Sequence, residues 1–335
     1  MDTTTIISDF IQVAANATSQ VVCKVSNDEK MVAYIANLLA SCLSIIGSSA
    51  IIINYIFFLP DTKRQQPLYK LILFLSIADF FGSLSICISQ SVLLSRASIN
   101  FFFVASFMWM SSLAFHTYWS SRQRSQVPLW VFQVVSWGVP TVMTAVMVGR
   151  DMITEDAESG WCQPNKVARW AFWFGPLLFS LAWNIILYAM ILWQYRSSMS
   201  GSITTQFRKK NNNGYDDDPY SINQPTSPSN RFITEKKRKL HLKVAKRLGV
   251  YLLAFLICWV PDVFDNLLVQ PNQYCQFYWL WLLQNITSPL QGFLNFIVYG
   301  VHSEFFFACV KSTEPQDIRS VYENKRQESK YLLGK

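Results

Sequence analysis

A chain of 335 residues that is 51% apolar, 15% aromatic and only 15% charged does not have the composition of a soluble basic protein. Its formal net charge of +8 is therefore no sign of nucleic-acid binding until the charges are placed. Seven apolar stretches of spanning length predict an all-α polytopic membrane protein, a seven-transmembrane helix bundle embedded in a lipid bilayer.

Residues 1–30 form an outer amino-terminal segment too short for a domain. It lacks the basic start of a cleavable signal peptide, so the first apolar run is expected to act as a signal anchor. Asn16-Ala17-Thr18 is a glycosylation sequon in that segment. The predicted spans are Met31–Leu59, Leu71–Ser95, Ile99–Ser121, Val127–Gly149, Trp170–Tyr195, Leu248–Gln270 and Phe277–Val301, within a bundle over residues 31–302. Each exceeds the roughly 20 apolar residues that cross the hydrocarbon core. Residues 303–335 form a cytoplasmic tail.

Loop charges set the orientation. Only Lys24, Lys30, Arg96, Arg150, Lys166 and Arg169 fall on the amino-terminal side, out of 29 Lys and Arg. Positive charge favours the cytoplasm, so the amino terminus is expected outside the plasma membrane. The long inner loop, about residues 200–235, is polar and rich in Asn, Ser and Pro, and is expected to be disordered. After it, Leu240, Val244 and Leu248 recur every four residues, which predicts that the sixth helix continues below the membrane. Its Lys239, Lys243, Lys246 and Arg247, with Arg122 and Arg124 after the third span, either anchor the helices at the headgroups or form a docking face for an acidic partner.

The ionisable residues within the spans are Asp79, His116, Asp262 and Asp265. The cost of a charge at that depth makes each a candidate position. Asp79 and Asn295 lie about 12 Å and 9 Å from the inner ends of their helices at 1.5 Å per residue, so they can meet. A carboxylate there must be protonated, hydrogen-bonded or bound to a cation. This reads as an Asp79–Asn295 network, with Asn54 or a sodium ion as a further member, or as one bond that only sets packing. Asp262 and Asp265 share a face of the sixth helix just beyond Pro261. They either line an outward-opening ligand cavity with Arg96 and Arg169 or form ion pairs with Arg96, Arg150 or Arg169. His116 reads as a packed histidine. Pro140, Pro176, Pro261 and Pro289 each remove a helical hydrogen bond and can kink their helices.

A Cys87–Cys162 bridge would tie the second outer loop to the corner between the second and third helices, with Cys23–Cys275 a second candidate pair. Three histidines without a His-Glu-x-x-His run give no metal centre, and no resident cofactor or enzymatic constellation is expected. A small-solute transporter or channel is the alternative class. It would need a continuous polar path, and the polar residues in the spans are sparse.

Several motifs together carry a resemblance. Leu290-Gln291-Gly292-Phe293-Leu294-Asn295-Phe296-Ile297-Val298-Tyr299-Gly300, Ser136-Trp137-Gly138-Val139-Pro140, Ser106-Phe107-Met108-Trp109, Gly160-Trp161-Cys162 and Gly175-Pro176-Leu177 resemble the cyclic-AMP-receptor-like G-protein-coupled receptors. Leu75-Ser76-Ile77-Ala78-Asp79, Cys258-Trp259-Val260-Pro261 and the Asn295–Tyr299 spacing are similar to rhodopsin-like motifs. Phe296 replaces a proline there, and the acidic-Arg-Tyr triplet at the end of the third helix is absent. The stretch from Cys87 to Trp109 is longer than the family pattern. The resemblance implies signalling from an extracellular ligand to a heterotrimeric G protein. It also implies that the sixth helix, bent at Pro261, swings at its basic inner end, with Trp259 either transmitting motion from the pocket or simply filling the bundle. A phosphate ligand such as cyclic AMP needs cationic or backbone donors, and Asp262 and Asp265 oppose it unless Arg96, Arg150, Lys166 or Arg169 outweigh them.

Overall fold

The computed structural model describes residues 26–88, 93–122, 127–155, 162–164, 166–211, 228–268 and 277–303. Asn16, Cys23, Arg124 and Cys275, for which sequence expectations were formed, lie outside them.

The first helix, Asn27–Ile53, starts with a capping box. Ser26 Oγ accepts the Glu29 N–H at 3.2 Å, and the Glu29 carboxylate accepts the Ser26 N–H at 2.8 Å. The helix closes with a π turn over Asn54–Phe58, where the Leu59 N–H bonds the Asn54 carbonyl at 2.9 Å. The second helix, Pro67–Ile88, opens on a proline, whose missing N–H has no helical partner at that position. The third runs Leu93–Ser121 and the fourth Leu129–Gly149. The fourth ends with Asp151 at φ 46°, while the Met152 N–H reaches the Met147 carbonyl at 3.1 Å. That is a Schellman stop with an aspartate where glycine is usual.

A two-stranded antiparallel hairpin follows, Ile153–Glu155 with Cys162–Pro164. The fifth helix begins at Lys166, passes through a π turn at Trp170–Phe174 and continues over Gly175–Asn211. The wide turn sits directly before Pro176, where a regular turn would have to place a donor that proline lacks. The sixth helix runs Pro228–Leu268. The seventh is two helices, Tyr278–Thr287 and Gln291–Ser303, joined by a turn at Ser288–Leu290 that contains Pro289.

Six helices are long and apolar enough to cross a membrane, and the broken seventh completes the bundle. Ile46, Phe57, Trp130, Val142, Trp193 and Leu253 are exposed on four different helices. Only lipid can cover an apolar belt of that extent. The third helix is the axis, with 72% of its apolar window buried against 22% for the fourth. Serines fasten it. Ser111 Oγ meets Ser180 Oγ of the fifth helix at 2.7 Å, and Ser112 Oγ meets Ser136 Oγ of the fourth at 2.9 Å.

Three expectations change. The second helix ends at Ile88, not at Ser95, because Leu93 and Leu94 start the third helix across the polar Ser89-Gln90-Ser91 interruption. The loop expected to be disordered is helical over residues 200–211 and 228–235, where the fifth and sixth helices continue past their apolar windows. No Pro or Gly falls between Ser229 and Leu248 to stop the sixth. The seventh span has the expected extent but is broken at its proline.

The first and seventh helices make their closest approach at two small residues. A Cβ on Gly47 would stand 2.8 Å from the Phe293 Cα. One on Gly292 would stand 2.5 Å from Ser44 Oγ and 3.1 Å from the Asp79 Cβ. Gly47→Ala is therefore expected to destabilise the purified chain by about 1–3 kcal/mol through overpacking against backbone. Gly138→Ala, with nothing within 4 Å of the added Cβ, is expected to be neutral or stabilising by up to about 1 kcal/mol. Thermal unfolding in one detergent checks both.

Candidate functional site

Asp79 sits midway along the second helix and is 1% exposed. Leu75 and Gly82 lie on the same inward face, so the apolar periodicity of the helix carries the carboxylate into the bundle. Its Oδ1 accepts the Ser106 hydroxyl at 2.6 Å and the Gln291 Nε2 amide at 3.2 Å. Its Oδ2 accepts the Asn295 Nδ2 amide at 2.8 Å. The expected Asp79–Asn295 bond is present. Asn54 takes a different partner, accepting the Tyr299 hydroxyl at 2.8 Å one turn further in.

Gln291 is the residue that joins the layers. Its Nε2 also donates to Ser106 Oγ at 2.6 Å, and its Oε1 accepts the Trp259 indole N–H of the sixth helix. One amide thus ties the second, third, sixth and seventh helices together. It occupies the first turn of the inner half of the seventh helix, immediately after the break. The adjacent Gly292 N–H, free at a helix start, donates to Ser44 Oγ at 3.1 Å.

Trp259 is fully buried in an aromatic layer. Its ring lies 4.6 Å from Phe107, 5.4 Å from Phe103 and 5.8 Å from Trp173, all edge-on. Such pairs add about 0.5–1.5 kcal/mol each beyond burial and hold the indole in one orientation. The next contact outward is polar, with the Trp173 Nε1–H donating to Asp262 Oδ2 at 2.9 Å. Asn266 Nδ2 donates to Asp262 Oδ1 at 3.3 Å. Asp265 is 3% exposed, and its Oδ1 has no hydrogen-bond partner.

Neither acid forms an ion pair with Arg169 or Arg150, so the ion-pair alternative fails for those two. The Arg169 Nε is itself buried without a partner. Arg96 falls in the first turn of the third helix, and its side chain is outside the described part. Pro261 lies inside the sixth helix between Trp259 and Asp262.

At the inner end, Arg122 is exposed and its guanidinium stacks over Tyr118 at 5.2 Å. Ser121 and Gln194 exchange hydrogen bonds at 3.3 and 3.4 Å, tying the third helix to the fifth where the acidic-Arg-Tyr triplet is missing. Lys246 is exposed, while the side chains of Lys239, Lys243 and Arg247 lie outside the described part. His116 packs edge-on to Phe132 at 6.2 Å.

The expected Cys87–Cys162 bridge is not formed. Cys87 is a free thiol set against Cys42 of the first helix, and the Cys162 side chain lies outside the described part. Among the described residues no group of three or more His, Cys, Asp or Glu side chains could hold a metal ion.

Ser106 and Gln291 stand in motifs that carry the resemblance without a role of their own, and Trp173 is unmarked, because only charged residues declare their cost within a span. Gln291 precedes Asn295 by four residues, so the i, i+4 rule places both on one face. That signal was available. The motif around Ser106 says nothing of its partner, and nothing local marks Trp173 among the aromatics of its helix.

A bundle of seven helices with an apolar outer belt and a buried polar chain inside is a multi-pass membrane protein. The model of the 7 transmembrane receptor (Secretin family) matches residues 68–295, more than half of the chain. Cyclic AMP receptor-like protein C of Dictyostelium discoideum is 30% identical over 269 residues, covering 72% of this chain and 66% of the relative. Cyclic AMP receptor-like protein B of the same organism is 25% identical over 267 residues, covering 74% of this chain and 53% of the relative. G-protein coupled receptor 157 of Homo sapiens is 31% identical over 172 residues, covering 46% of this chain and 50% of the relative. The chain thus spans between half and two thirds of the length of these relatives. The chain belongs to the seven-transmembrane G-protein-coupled receptors, and cyclic AMP receptor-like proteins are among those it is similar to. That is a family of receptors, not of enzymes.

The Gln291 bridge is open to a double-mutant cycle. Trp259→Phe removes the indole N–H, and Gln291→Leu removes both amide functions. Each is expected to cost about 1–3 kcal/mol of stability, because a buried group is left unmade. The double mutant is expected to cost less than their sum by about 0.5–3 kcal/mol, as residues in one network do. Strict additivity of the thermal midpoints would show that the two side chains act independently.

Proposed function

We propose that the chain is a plasma-membrane receptor, amino terminus outside, that passes an extracellular ligand signal to a heterotrimeric G protein. One observation carries this reading: an unbroken series of buried contacts runs from the outer third of the bundle to the inner third. It passes from Asp262 through Trp173, Trp259 and Gln291 to Asp79 and Asn295, with Tyr299 and Asn54 one turn beyond. A ligand seated at Asp262, Asp265, Arg169 and Arg96 would press on the outer end of that series.

The transmission is a population shift. An agonist must bind the active arrangement more tightly than the inactive one, with about 1.4 kcal/mol for each tenfold change in the equilibrium. Trp259 links the pocket floor to the hub, and Pro261 is the bend about which the sixth helix turns. Arg122, Arg124, Lys239, Lys243, Lys246 and Arg247 would supply the positive charge that meets the G protein. The same aromatic layer argues against a solute path, since Phe103, Phe107, Trp173 and Trp259 plug the bundle where a transporter would need water.

A sodium ion beside Asp79 is the second element of the proposal. Every hydrogen-bond partner of Asp79 among the described residues is neutral, so its charge has no counter-ion there. Asp79 and the Ser106 hydroxyl oxygen are hard oxygen donors of the kind such a cation takes.

Nucleotide exchange on a panel of heterotrimeric G proteins, with the chain reconstituted in lipid, tests the reading. Exchange on at least one G protein is expected. Asp79→Asn is expected to change basal exchange by about tenfold, the equivalent of ~1.4 kcal/mol in the conformational equilibrium. Replacing sodium by N-methylglucamine is expected to shift basal exchange in the wild type and not in Asp79→Asn. Solute uptake without exchange on any G protein would overturn the receptor reading.

A further inference from the structure

The outer third of the bundle holds more buried polar groups than it satisfies. Asp262 and Asp265 are 7% and 3% exposed, yet only Asp262 has hydrogen-bond donors. Asp265 lies two turns above the fully buried Cys258 and shares its inward face. Across the bundle, Asn100 of the third helix is 4% exposed, and neither its Oδ1 nor its Nδ2 has a partner. Asn100 stands two turns above Phe107 on the same face, the face whose rings meet Trp173 and Trp259.

The depths agree. Phe107 and Trp259 are in contact at 4.6 Å, so they mark one level. From that level, Asn100 is seven residues outward and Asp265 six, which is about 10 Å and about 9 Å. Two unsatisfied polar residues from facing helices therefore share an outer layer above a floor of Trp173 and Trp259.

The charge of that layer does not balance. Among the described residues it contains two carboxylates and one guanidinium, that of Arg169, which pairs with neither acid. An unpaired buried charge is costly unless a partner supplies the opposite sign.

We propose that the ligand of this receptor carries one positive charge, an organic ammonium, amidinium or guanidinium group, seated between Asp265, Asp262 and Asn100 above Trp173 and Trp259. The ligand class rests on the receptor reading given above and sharpens it. The cationic group takes the free Asp265 oxygen as acceptor, and the Asn100 amide orients the rest of the molecule. A phosphate ester bound at the same place would meet the two acids head-on.

Thermal unfolding of the purified full chain is followed with three probes of one shape: benzylamine, benzyl alcohol and benzoate. Benzylamine is expected to raise the midpoint in a saturable manner, with the alcohol and benzoate giving no saturable shift. Asp265→Asn is expected to weaken the apparent benzylamine affinity tenfold or more, and Asp265→Glu to retain most of it. Should both variants fail to fold, the ranking of the probes on the wild type still decides. Equal shifts from all three, no saturable shift from benzylamine, or stabilisation by benzoate would each overturn the proposal. Basal nucleotide exchange on a G protein, measured on the same wild-type preparation, separates the two readings. Exchange with no benzylamine effect removes the cation and leaves the receptor, whereas loss of exchange on every G protein removes the receptor.

Discussion

A carboxylate cannot stay in the middle of a lipid-embedded bundle unless the protein supplies its hydrogen bonds. Asp79 imposes that requirement, and the inner half of the molecule is arranged to meet it. Its two oxygens gather a hydroxyl from the third helix and two amides from the seventh, so three helices converge on one side chain. Replacing water with fixed neutral donors makes the cluster rigid and also makes any loss within it expensive. Gln291 carries the constraint to the sixth helix through the Trp259 indole. The aromatic layer then carries it outward to Trp173 and Asp262.

The break in the seventh helix belongs to the same arrangement. Pro289 stops the outer half, and the inner half restarts at Gln291. A restarted helix offers unpaired backbone N–H groups, and Gly292 gives one to Ser44. Glycine there and at Gly47 lets the first and seventh helices touch closely, as membrane helices with small interfacial residues do. The π turns at Asn54 and before Pro176 are further departures from regular helix, and each lies beside a residue of the polar chain. Irregular turns of this kind cluster where helices must present a side chain that a regular helix would turn away.

Much of this was legible in the sequence. Seven apolar stretches, the Asp79–Asn295 depth match and the shared face of Asp262 and Asp265 follow from length, rise per residue and helical period alone. The continuation of the sixth helix past its apolar window followed from Leu240, Val244 and Leu248. The broken seventh helix was half visible, since Pro289 marks a possible kink but composition does not tell a kink from a full restart. Gln291 was hidden because a neutral amide does not stand out among polar residues, although its spacing from Asn295 would have found it. The Cys87–Cys162 bridge failed because topology places a residue near the outer surface without fixing which neighbour it faces, and Cys87 turns to the first helix. Burial of Asn100 and the pairing of Trp173 with Asp262 depend on helix rotation, which no local pattern sets.

The central claim is that the hub restrains the sixth helix from the second. The most direct measurement is the distance between spin labels on Lys63→Cys, in the exposed inner turn before the second helix, and Lys246→Cys, exposed near the inner end of the sixth, in a chain whose other accessible cysteines are replaced. In lipid nanodiscs without ligand, the intact hub is expected to give one narrow distribution. Gln291→Leu is expected to give a broader one with added population at longer distance. Indistinguishable distributions in the two chains would contradict the account.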